Sequence, residues 1–154
     1  MPRTTADRIE KEILLRAPRS RVWRALTDSK EFGTWFQMEF TGPFRPGARL
    51  TGRVTYPGYE HLVGDLLIEK METDRLFSLR WHPNAVDPKQ DYSKEPMTLV
   101  EFTLEEVEGG TRLRLVESGF DSIPIARRAE ALKENANGWT IQMTAIEHYL
   151  RQNP

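Results

Sequence analysis

The chain has 154 residues, with 22 Lys and Arg against 23 Asp and Glu, and no cysteine. That length suits one domain with one substantial core, and a formal charge of -1 supplies no broad field to draw the protein onto nucleic acid or an acidic membrane. The lack of cysteine removes disulfides, thiol nucleophiles and cysteine-ligated zinc together, and fits a reducing, cytoplasmic setting.

Residues 1–7 have no apolar stretch of signal-peptide type and read as a flexible N-terminus ahead of a single domain over 8–152. No apolar run approaches the roughly 18 residues of a membrane span. From Arg8 to Arg16, Ile9, Lys11, Ile13 and Leu15 alternate with Glu10, Glu12, Leu14 and Arg16, a strand by period two. Ala17-Pro18 ends it, and Ser20 is placed to cap a short helix through Leu26 that hides Val22, Trp23 and Leu26. A second short helix is expected from Ser29 to Phe36, with Phe32, Trp35 and Phe36 turned inward.

Gly42-Pro43 and Pro46-Gly47 then mark turns, and the blocks that follow favour strands: Arg49 to Tyr56, Glu60 to Glu72, Arg75 to His82, Met97 to Glu105 and Thr111 to Ser118. Glu108-Gly109-Gly110 gives the sharpest hairpin signal. Val100, Phe102 and Leu104 alternate with Glu101, Thr103 and Glu105, and Leu113 and Leu115 with Arg112 and Arg114, so one face is wet and the other buried. Pro83 to Pro96 reads as a long mobile loop of the kind that lids a site. Last, Ile125, Ala129, Leu132, Ala136, Trp139, Met143, Ile146 and Leu150 recur at steps of four and three, one apolar face of a long terminal helix. Strands in a run followed by one helix point to an α+β fold. A helix laid across a curved sheet encloses space between them.

Several motifs are missing. There is no phosphate-cradling Gly-rich loop, dinucleotide fingerprint, Gly-x-Ser-x-Gly elbow or cysteine nucleophile, which disfavours an ATPase, a Rossmann enzyme and a serine hydrolase of the usual kind. No two of His61, His82 and His148 have the close helical spacing of a zinc motif, so no metal site is expected.

Five pieces in this order, PRSRVWRAL (18–26), FRPGARL (44–50), RLFSLRW (75–81), GTRLRLVESGF (110–120) and GWTIQMTAIEHYL (138–150), resemble the SRPBCC or START-like superfamily. They are closest to the family named for homology to the activator of the 90-kDa heat-shock protein ATPase. The resemblance implies a helix-grip fold: a curved antiparallel sheet of about six or seven strands, two short helices after the first strand, and a long C-terminal helix over a hydrophobic cavity. No cofactor is expected. Function varies widely across this superfamily, from lipid carriers to cyclases, so the fold alone assigns none.

The leading expectation is a module that holds a small, mainly apolar ligand between sheet and helix. A cyclase- or hydrolase-type enzyme using the same cavity, and a protein-interaction module or homodimer in chaperone or stress regulation, stay open beside it. Candidate walls are Trp35, Phe36, Trp81, Phe102, Leu115, Trp139 and Met143, whose tryptophans could box an apolar or cationic ligand or simply fill the core. Gln142, one residue off the helix seam, is a candidate hydrogen-bonding group or a solvated flank. Glu117 shares strand parity with Leu113 and Leu115; either it is buried beside a partner such as Arg53 or Arg80, where it could anchor a ligand or act as a base, or the strand frays and it reaches water at the rim. His82, at a strand end before the loop, is a polar anchor or acid-base group if it meets Asp65 or Glu117.

Overall fold

A computed structural model describes residues 8–87 and 89–154. The expected flexible N-terminus over 1–7 lies outside the described residues. The elements run β1 (Arg8–Leu15), α1 (Arg19–Thr27), α2 (Ser29–Phe36), β2 (Met38–Phe40), β3 (Arg49–Val54), β4 (Val63–Glu72), β5 (Leu76–Trp81), β6 (Thr98–Val107), β7 (Gly110–Ser118) and α3 (Ile125–Gln152), with a 3-10 turn at Phe120–Ser122. All seven strands form one antiparallel sheet in the order β1-β7-β6-β5-β4-β3-β2. A β-bulge between Ile68 and Lys70 adds local twist to β4, and α3 lies across the concave face of the curved sheet. This is a helix-grip fold.

The differences from the sequence reading are local. The three-residue edge strand β2 was not anticipated; it is too short to show an alternation and is set by pairing Met38 with Val54 and Phe40 with Gly52. Helix α1 starts at Arg19 behind Pro18 with no side-chain cap, so Ser20 lies inside it. The side-chain cap belongs to α2, where Asp28 accepts from the backbone N–H groups of Lys30 and Glu31. The helix seam holds from Leu132 onward but not at its start: Ile125 is 82% exposed, and Ala129 faces solvent too. There α3 meets the 83–96 loop rather than the sheet.

An aromatic block fills the middle of the space under α3. Phe32 reaches Trp35, Phe36, Phe40, Phe44 and Phe102, Phe77 stacks on Phe102 at 6.0 Å, and Trp81 stacks on Trp139 at 5.5 Å. Trp23 meets Phe77 edge-on and is a packing residue. Aromatic contacts of this kind add to the burial term.

Polar contacts fix both ends of α3. At its start the Arg127 guanidinium pairs with Glu95 at 2.6 Å, donates to the Pro83 carbonyl and lies over the Tyr92 ring. These contacts join the 83–96 loop to the helix near both of its ends. At the other end Arg21 on α1 donates to the Asn153 carbonyl and pairs with Glu31 on α2, which also accepts from Tyr149 and Arg24.

Two predictions come from this architecture. Burial raises the Glu31 carboxyl, but the hydrogen bonds from Tyr149 and Arg21 and the charge of Arg21 outweigh it and hold the group below its ordinary value of 4.5. A depressed carboxyl stabilises the fold above its unfolded value and loses that contribution as pH falls through the folded value. Urea midpoints should therefore decline below about pH 4.5 more steeply in the wild type than in Glu31→Gln. Gly33 gives the second test. A Cβ there would lie 2.3 Å from the Met38 carbonyl oxygen, where the chain folds from α2 back into β2. Helix propensity alone says Gly33→Ala gains up to about 1 kcal/mol; the close approach reverses the sign, to a loss of about 1–3 kcal/mol in denaturant unfolding.

Candidate functional site

Glu117 is on the inward parity of β7, opposite Val100 of β6, and is fully buried. The expected partner cations are elsewhere: Arg80 pairs with Glu69 and Arg53 with Glu39. Neutral donors take their place. Trp81 Nε1 donates to Glu117 Oε2 at 2.7 Å and Thr98 Oγ1 to the same oxygen at 2.6 Å. Trp139 Nε1 donates to Oε1 at 2.8 Å, and Asn135 Nδ2 lies 3.0 and 3.1 Å from the two oxygens. An indole N–H can only donate, and each oxygen receives one, so the group is used as an acceptor throughout, the hydrogen-bonding state of a carboxylate. Neither the fraying strand nor an arginine partner is realised.

Two adjoining cavities lie on the β2–β4 side of this network. The first, about 520 Å³, is bordered by the 84–93 loop, the ends of β4 and β5 with Asp65, Trp81 and His82, and Asn135 of α3. The second, about 620 Å³, lies between α2 and the second half of α3 and takes Trp35, Phe36, Gln142, Ala145 and Tyr149 as walls. Met38, Val54 and Leu62 border both. These three were not singled out by sequence reasoning, because short or terminal strand positions carry no distinguishing pattern.

The expected wall residues divide. Trp35 and Phe36 border the second cavity with Gln142, and Trp81 and His82 border the first. Phe102, Leu115, Trp139 and Met143 are buried in the core and border neither. The aromatic block occupies the volume that those four were expected to enclose. Glu117 likewise borders neither cavity, but two of its donors, Trp81 and Asn135, stand in the wall of the first.

His82 makes the expected approach to Asp65 only through charge. Burial pushes its imidazole below the ordinary 6.5, the carboxylates of Asp65 and Glu95 pull it upward, and Arg127 and Arg49 add to the lowering. The net effect favours the neutral ring at physiological pH. Its Nδ1 is buried with no hydrogen-bond partner among the described residues. Glu117 does not contact it. No group of three or more metal-ligating side chains occurs among the described residues, and no described helix is long and apolar enough to cross a membrane.

Two partners of Glu117 were legible in part. Thr98 pairs with Trp81 in the β5–β6 register and shares the inward parity of Val100 and Phe102. Asn135 is one turn before Trp139 on the same helix face.

This arrangement can be set against known proteins. Residues 16–151 match the family model described as activator of Hsp90 ATPase homolog 1-like protein. The chain belongs to this family. Protein MLL2253 from Mesorhizobium loti is similar in structure, with 24% identity over 96% of this chain and 98% of that one and a TM-score of 0.75. Ms6760 from Mycobacterium smegmatis shares 19% identity over 97% and 94% of the two chains at a TM-score of 0.73. The Aha1 of Colwellia psychrerythraea, solved as a dimer, shares 16% over 91% and 92% at 0.68. No curated protein matches the sequence. At these identities the solved structures speak to the fold, and the family match supports a ligand-binding or regulatory domain.

Within this family member, the Glu117 network predicts a specific cost. In Glu117→Gln the amide nitrogen faces an indole N–H that cannot turn into an acceptor, leaving one buried donor unpaired. The loss should be about 1–3 kcal/mol in denaturant unfolding, accompanied by a change in tryptophan emission.

Proposed function

We propose that the protein is a binding module for a small amphipathic molecule, held in the paired cavities between the sheet and α3, in the cytoplasm. The observation that carries the reading is the adjacency of the two cavities across Met38, Val54 and Leu62, one lined by Trp35, Phe36 and Ala145 and the other by polar groups around Trp81. An apolar body and a polar end would each meet a matching wall, the pattern of small-molecule sites. The enzyme alternative loses Glu117 as a base, because its lone pairs are occupied and it borders no cavity; His82 is the group left to such a reading. A second reading has one specific support. Tyr56, Tyr59, Val63 and Ile141 are each more than half exposed, three of them beside the second cavity, and a protein partner or second copy of the chain would cover them.

Native mass spectrometry and a thermal-shift screen across lipids, flavonoids and aromatic polyketides test the binding reading. A ligand that binds only the native state raises the melting temperature in a dose-dependent way, as the logarithm of one plus the ratio of free ligand concentration to Kd. Leu62→Trp, which fills the shared wall without entering the core, should weaken any such ligand by about tenfold or more. Undiminished affinity in the folded variant would move the ligand out of these cavities.

A further inference from the structure

The Glu117 carboxylate is sealed from solvent, and every group that hydrogen-bonds to it is neutral. Its charge is therefore solvated but not cancelled. In an interior of low polarity such a charge is screened far less than one at the surface. Two of its donors transmit it to the first cavity. Trp81 gives its N–H to the anion, which draws electron density onto the indole face, the face that attracts cations. Asn135 commits its NH₂ group to both carboxylate oxygens, so only its carbonyl oxygen, an acceptor, remains for the cavity it borders.

The remaining charges of the wall have the same sign. Asp65, Asp87 and Asp91 border the first cavity, and among the described residues no Lys or Arg borders either one. Arg127, at the start of α3, is already matched by Glu95. His82 is held toward its neutral form.

We infer that the first cavity selects a ligand with a positively charged group, an ammonium carried on an apolar body, and that Glu117 sets this preference from beneath Trp81 and Asn135. This rests on the paired-cavity reading and gives it a ligand class. The apolar body would occupy the second cavity, and the ammonium would sit over the Trp81 ring and beside the Asn135 carbonyl. A carboxylate of the same length, such as a fatty acid, would meet repulsion at the same place.

Isothermal titration calorimetry with three eight-carbon probes, octyltrimethylammonium, 1-octanol and octanoate, each below its micellar concentration at about pH 7.5, tests the inference. The ammonium should bind about tenfold or more tighter than octanoate. In Glu117→Gln, with folding checked by circular dichroism and cooperative melting, that ratio should fall to about threefold or less. Should this variant fail to fold, Asn135→Leu, on the half-exposed flank of α3, should lower the ratio of ammonium to octanol affinity in the same direction. Octanoate binding as tightly as the ammonium would overturn the charge preference while leaving the cavities as a binding site. A ratio unchanged in the folded variants would overturn the part assigned to Glu117. Binding of none of the three would overturn the paired-cavity reading and this inference together.

Discussion

A carboxylate taken out of water costs several kcal/mol unless its hydration shell is replaced, and in this fold the replacement is drawn from two strands and a helix at once. Glu117 on β7 is bonded by Trp81 at the end of β5, Thr98 at the start of β6, and Asn135 and Trp139 one turn apart on α3. Those donors reach two oxygens only if α3 has one rotation about its axis and one height over the sheet. The stacking of Trp81 on Trp139 then follows from both indoles being aimed at the same anion. With that pair in place, the aromatic block from Phe44 through Phe32 and Phe102 closes the middle of the grip, and the two large cavities are left toward β2 and the ends of β3, β4 and β5.

The two ends of α3 are fixed by different means. Arg127 and Glu95 are both largely buried and join the helix to the 83–96 loop, while Arg21, Glu31, Tyr149 and Asn153 join its last turn to α1 and α2. Ion pairs of this sort add little net stability, because desolvation offsets most of the attraction, yet breaking one leaves a buried charge unpaired. Their effect is on geometry. Apolar packing of Ala131, Met143, Ile146 and Leu150 holds the helix to the sheet without specifying its angle, and the polar clusters at the two ends do specify it. The cavity walls belong to the same elements: Tyr149 lines the second cavity, and Tyr92, under Arg127, lines the first.

Much of this was readable from the chain, for a physical reason. Period-two alternation in β1, β6 and β7 and the 3.6-residue seam of α3 record which side of each element is dry, and that is a property of single residues along one segment. Glu117 declared itself in the same way, as a charge on a dry face. Its partners showed at most a face: Thr98 and Asn135 carry the right parity or helix side, but Trp81, Thr98, Asn135 and Trp139 come together only through strand register and helix placement. Ile125 and Ala129 continue the seam in sequence but extend past the sheet, so periodicity overstated the buried face. Phe102, Leu115, Trp139 and Met143 were correctly placed on inward faces, but an inward face does not say whether the space in front of it is open or filled. Here that depended on how six phenylalanines fit together between the sheet and the helices, a volume question that no pattern of apolar residues answers.

Being buried and being chemically available are separate matters, and Glu117 illustrates the distinction. A general base needs a lone pair within reach of the proton it takes. Glu117 has none to offer: its oxygens accept from both indoles, a hydroxyl and an amide. What the group can still exert is its field, which passes through the side chains that solvate it. Two of those, Trp81 and Asn135, border a cavity, and what each has left to offer a bound group is electron-rich, a π system and a carbonyl oxygen. A carboxylate displayed directly in the cavity would attract the same cation more strongly, but would also attract water and exchange with it. Set behind neutral side chains, a charge would bias a cavity toward cations while leaving it an indole wall, and that is the arrangement the proposed cation site relies on.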